Sequence, residues 1–156
     1  MAPSVLGRLV GWLAYQLFRS PFARRSKWIH TKTMALFRWS SERGDAKSLA
    51  TYGFLLHFRG SDHASKEQGG LYIQAAADLG DARSQYQMGI LFEKGYTPLF
   101  IKNGPKAFEY YLRAANQSHP LAIEKVAAVY RLGELGVTAD PKAADLWQTK
   151  SSLDVS

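Results

Sequence analysis

The sequence predicts an all-α fold: a short α/α superhelix of paired helices, preceded by an amphipathic N-terminal helix. Three observations lead there. A Gly-Asp-Ala signature recurs at residues 44 and 80, each copy is followed by two stretches of helical periodicity, and the N-terminal quarter holds the whole charge excess. The expected organisation is a basic helical region at 1–43, acting as a cap or a divergent leading repeat. Helix pairs follow at about 44–79, 80–117 and 118–151, with a short tail to 156.

A chain of 156 residues can bury one continuous core, and apolar and charged fractions of 46% and 21% are those of a folded chain. There is no cysteine, which excludes disulfides, thiolate metal sites and cysteine nucleophiles. Residues 1–41 contain no Asp or Glu but carry Arg8, Arg19, Arg24, Arg25, Lys27, Lys32 and Arg38. The remaining 13 basic residues are matched by 13 acidic ones, so the net charge of +7 belongs to this segment. An acid-free segment joined to a neutral body suits contact with an acidic surface, whether lipid headgroups, nucleic acid or protein.

From Ser4 to Arg19 the pattern is helical, with Leu6, Leu9, Val10, Leu13 and Leu17 on one stripe and Arg8, Tyr15 and Arg19 opposite. Ser4 is the expected N-cap and Pro21 the stop. Gly7 and Gly11 weaken such a helix by roughly 1 kcal/mol each. The leading expectation is a cap whose leucine stripe covers the first repeat; the second is a helix lying on an anionic membrane, with Trp12, Phe18, Phe22 and Trp28 near basic residues. Arg8 interrupts an apolar stretch already short of the ~20 residues a spanning helix needs. A cleaved secretion signal lacks its positive leading region here, while an organellar presequence stays open. Residues 20–26 read as a basic turn, and Trp28 to Arg43 as a second helix ended by Gly44.

The repeat then unfolds in order. Gly44-Asp45-Ala46 returns as Gly80-Asp81-Ala82, Tyr52-Gly53 as Met88-Gly89, and Leu56 as Phe92. A worn third copy has Ser118-His119-Pro120, Val126-Ala127 and Tyr130 at these positions. Second helices follow at Leu71–Ala77, Tyr110–Ala115 and Leu146–Gln148, and residues 36–44 fit the same register. Glycine inside a helix is unfavourable, so Gly53 and Gly89 imply a neighbouring helix too close for a side chain.

These residues resemble the Sel1-like repeat (SLR) family, a branch of the tetratricopeptide-like solenoids, and the resemblance implies a right-handed α/α superhelix. The likeness is best over 80–115, in Ala82, Met88-Gly89, Phe92, Gly95, Lys106-Ala107, Tyr110-Tyr111 and Ala114-Ala115. It continues through Gly133, Gly136-Val137, Asp140, Lys142-Ala143 and Trp147, although the spacing from Asp140 to Lys142 is one residue short and Lys150-Ser151 replaces the closing alanine pair. In the first unit Leu56 stands for the usual tyrosine, and Gly69-Gly70 fall inside the second helix, as a pair that starts or loosens it. All of these are packing residues, so the resemblance implies a scaffold and transfers no active site. It also implies that first helices line a concave binding face. First-helix positions left free by the packing pattern are Lys47, Phe54, His57 and Phe58, then Arg83, Tyr86, Ile90, Glu93 and Lys94, then Glu124 and Arg131. That mixture suits a peptide groove with apolar anchors and a polar rim.

Catalysis has no foothold in the motifs. His30, His57, His63 and His119 are scattered, without metal-ligand spacing, and read as surface residues. No phosphate-binding loop, dinucleotide fingerprint, nucleophile elbow or zinc-protease motif occurs. Residues 97–105 form an unusual loop, whose run Leu99-Phe100-Ile101 either tucks against a neighbouring unit or forms a contact patch. The expected function is therefore a non-enzymatic adaptor without cofactors, cytoplasmic, binding another protein or peptide. The alternative is an assembly factor held on the inner face of a membrane by Arg8, Arg19, Arg24, Arg25 and Lys27. Nucleic-acid binding through Arg24, Arg25, Lys27, Lys32 and Arg38, with Trp28 and Trp39 for stacking, ranks third because the bases circle a helix instead of forming a stripe.

Overall fold

A computed structural model describes residues 5–20, 27–96 and 99–153. Among these, the chain is helical with no strand: α1 (Val5–Arg19), α2 (Lys27–Ser41), α3 (Ala46–Arg59), α4 (His63–Asp78), α5 (Ala82–Lys94), α6 (Gly104–Asn116), α7 (Pro120–Leu132) and α8 (Pro141–Leu153). Ser4, most of the basic turn including Phe22, Arg24 and Arg25, Thr97 and Pro98, and residues 154–156 lie outside the described residues. The chain forms two compact units, Met1–Leu79 and Gly80–Ser156. The boundary expected after residue 43 falls inside the first unit.

The repeated Gly-Asp dipeptides do two jobs at each helix junction. Gly44 and Gly80 take left-handed conformations, with φ of 75° and 97°, that reverse the chain at low steric cost. The aspartate that follows caps the next helix, Asp45 accepting from the Ser48 N–H at 3.0 Å and Asp81 from the Ser84 N–H at 2.8 Å. In the third copy the same geometry is made with poorer residues. Ser118 holds φ of 59°, and His119 at the N-cap makes no side-chain capping bond.

In the first unit α1 packs on α2, α2 touches α3, and α3 packs on α4. The α3–α4 contact is a backbone approach: a Cβ on Gly53 would come within 2.9 Å of the Ile73 nitrogen, and one on Gly69 within 2.8 Å of the Gly53 carbonyl. Gly69 is thus no loosening of the helix but the other half of this contact. Leu49, Ala50 and Ala76 form the adjoining core, with Phe54, Tyr72 and Ala75 packed against it.

In the second unit α5 packs on α6, α6 touches α7, and α7 packs on α8. The space opened by Gly89 is filled by the ring of Tyr111, which is buried on α6. Phe92 stacks on Tyr110 at 5.7 Å and meets Phe100 edge-on at 5.7 Å. The apolar loop therefore divides. Phe100 is buried and exchanges backbone hydrogen bonds with Tyr96, while Leu99 and Ile101 face outward.

The N-terminal helix docks the other way round from expectation. Its buried residues are Gly7, Gly11 and Ala14, one helical stripe, with Phe18 half-buried on the same line. Ser40 Oγ donates to the Gly7 carbonyl at 2.5 Å and stands 3.0 Å from Ser48 Oγ. A Cβ on Gly11 would collide with Ser40, Asp45 and Ser48. Leu6, Leu9, Leu13 and Leu17, expected to cover the first repeat, are 59%, 56%, 50% and 42% exposed. The closest approach goes to the small side chains because only they let two helix backbones come together; the bulky stripe is left outside.

Candidate protein-interaction surface

On α3, Lys47 is exposed and Phe58 is 59% exposed. Phe54 and Phe58, one turn apart, stack with centroids at 6.0 Å and planes at 7°, so the half-buried Phe54 supports its outer partner. His57 departs from the sequence reading. It is buried, its Nδ1 lies 3.1 Å from the Lys66 carbonyl, and its ring meets Phe58 edge-on. The close α3–α4 approach through Gly69 encloses this histidine, which is thus a packing residue and offers no face to a partner.

On α5, helical spacing places Arg83, Tyr86, Ile90 and Glu93 on one stripe, with Lys94 beside Ile90. Arg83 and Lys94 are exposed; Tyr86, Ile90 and Glu93 are half-buried. The α7 helix and its N-cap residue His119 supply partners at both ends of this stripe. Tyr86 stacks on His119 at 4.8 Å, and Glu93 Oε1 pairs with Lys125 Nζ at 2.7 Å. Beneath them Tyr111 donates its hydroxyl to Glu93 Oε2 at 2.6 Å. Glu124 is exposed on α7, while Arg131 donates to Asp145 and Gln148 of α8, each at 2.9 Å.

Electrostatics follow from this enclosure. Burial opposes ionisation of Glu93, but the bonds from Lys125 and Tyr111 outweigh it and hold the carboxyl below its ordinary range. Burial, then the bond to Glu93, pushes the Tyr111 phenol well above its usual value, so it remains a donor. Burial lowers His119, an effect opposed by Asp81 and reinforced by Arg83. Sequence reasoning misses Lys125. Its signal is an acid and a base 32 residues apart on successive first helices, close to the repeat length. Among the described residues, no group of three or more His, Asp or Glu could hold a metal ion.

Of the residues expected to meet an acidic surface, Arg8 and Arg19 are exposed on α1, with the Arg19 guanidinium 5.8 Å from the Tyr15 ring. Arg24 and Arg25 lie outside the described residues, as does the Lys27 side chain. No helix among the described residues is long and apolar enough to cross a membrane.

No family model matches the chain. Two solved structures match nearly all of it. The Sel1 repeat protein from Oxalobacter formigenes aligns with a TM-score of 0.78 and 20% identity, over 95% of this chain and 58% of that one. The chain has the Sel1-like repeat fold. A protective antigen of uropathogenic Escherichia coli strains with an SLR fold aligns at 0.76 and 21% identity, over 96% of this chain and 31% of that one. Chitin synthase regulatory factor 2 of Schizosaccharomyces pombe is 30% identical over 89 residues, 57% of this chain. The chain matches only 17% of that relative's length and 58% and 31% of the two SLR structures. The SLR helix pairs explain why the motif residues quoted above are mainly core: Met88, Phe92, Ala107, Tyr110, Tyr111, Ala114 and Ala115 are all buried.

Proposed function

We propose that this protein is a non-enzymatic scaffold that binds a partner protein or peptide along its first helices. The observation that carries the reading is the α5 stripe, where exposed Arg83 and Lys94 flank the half-buried Tyr86 and Ile90. The Tyr111–Glu93–Lys125 network fixes the floor beneath that stripe. A rigid aromatic and aliphatic strip edged by charge suits an extended peptide segment, whose side chains alternate between apolar anchors and solvent. On α3 the Phe54–Phe58 stack offers a second, more apolar contact. The named role of the curated relative is regulatory, and an adaptor role suits that name.

The test is affinity capture from the native host, comparing wild type with Arg83→Glu/Lys94→Glu and with Phe58→Ser. These side chains are exposed, so each variant is expected to melt like wild type while losing captured partners. Identical recovery of every partner by all three proteins would remove both surfaces from consideration.

A further inference from the structure

We propose that the outward face of α1 is a docking surface for an anionic lipid bilayer. Its docked stripe of Gly7, Gly11, Ala14 and Phe18 leaves two others outside. One carries Leu6, Leu13 and Leu17 with Leu9 beside them; the other carries Arg8, Trp12, Tyr15 and Arg19. Val5 is 75% exposed and Trp12 59%, so the apolar strip is continuous along the helix and edged on one side by cations. Monomeric proteins seldom present so much apolar surface in one place without a use for it.

Charge selects the occupant. No acidic residue occurs in residues 1–41, and the first unit as a whole holds eleven basic against five acidic residues. The second unit, with nine against eight, is nearly neutral. A second copy of this face would bring Arg8 and Arg19 against like charges with no nearby acid to answer them. An anionic bilayer satisfies both stripes: leucines enter the acyl boundary, Trp12 and Tyr15 sit at headgroup level, and the guanidiniums reach phosphates. A helix of 15 residues is about 22 Å long, short of the ~30 Å hydrocarbon core, so it lies in the interface. The small-residue stripe keeps α1 attached to α2 and α3 during this contact, leaving the leucines free to meet lipid.

Vesicle co-sedimentation of the full chain tests this, using phosphatidylcholine with about one-third phosphatidylserine against phosphatidylcholine alone. Wild type is expected to partition onto the anionic vesicles and to be released by raised salt. Leu9→Ser/Leu13→Ser and Arg8→Glu/Arg19→Glu should each weaken partitioning roughly tenfold or more. Leu121→Ser/Leu146→Ser, which removes exposed leucines from the second unit, should leave it unchanged. Circular dichroism melts identical to wild type exclude loss of fold as the cause. Equal partitioning of wild type and the Leu9/Leu13 variant overturns the proposal. So does absence of binding at low salt, or a solution dimer that the Leu9/Leu13 variant dissolves.

Discussion

Glu93 of α5 and Lys125 of α7 form a 2.7 Å ion pair that ties successive helix pairs together, each side chain only about a quarter exposed. Such a partly enclosed pair is screened less by the solvent, and breaking it on one side is costly. Glu93→Gln is expected to cost about 1–2 kcal/mol in urea unfolding, because it leaves Lys125 half-buried without an opposite charge. Adding Lys125→Met should recover part of that loss. Additive effects of the two changes would show that the pair contributes no coupling.

Stability should fall with acid in two stages. The folded-state value of His119 lies below its ordinary 6.5, so folding favours the neutral ring. Its contribution is full above pH about 6.5 and is lost as pH falls through that value toward the folded one. Glu93 is also depressed, so its contribution is full above about 4.5 and is lost as pH drops through its folded value. Urea midpoints measured from pH 8 down to about pH 2 should show a first decline that His119→Gln flattens and a second that Glu93→Gln flattens. A first decline of unchanged size in the His119 variant would assign it elsewhere.

Gly89→Ala places a methyl group against the ring of Tyr111, which is 1% exposed and has nowhere to retreat. The expected cost is about 1–3 kcal/mol, typical of overpacking. In a Tyr111→Leu background the same change should be much cheaper, since the ring is gone. A denaturant series on the four proteins measures this directly.

Ser118→Gly should stabilise the chain by about 0.5–1 kcal/mol, since a serine at φ of 59° bears a steric cost that glycine does not. For a chain of this size the melting temperature should rise by roughly 1–4 °C. A lower melting temperature would mean that the serine side chain matters more than the backbone strain.

The architecture is legible because each repeat junction writes its geometry in residue types. Gly44-Asp45 and Gly80-Asp81 announce a left-handed turn and a cap, and Gly53 announces a close helix contact that Gly69 completes. Side-chain surroundings are less legible. His57 sits at a position that periodicity leaves free, yet the glycine opposite lets α4 close over it. For α1, periodicity locates the leucine stripe correctly but cannot say which face meets protein. Gly7 and Gly11 look like weak points of a helix in sequence, and they are its points of attachment.

That attachment has a thermodynamic signature. Detaching α1 would bare glycine, alanine and serine, and would part the Phe18 ring from its edge-on neighbour Phe37. Phe37, 1% exposed in the folded chain, becomes wet with Phe18, so this step carries its own heat-capacity increment and denaturant slope, each a fraction of the whole chain's. Amide exchange along α1 would then register a local opening well below the global transition.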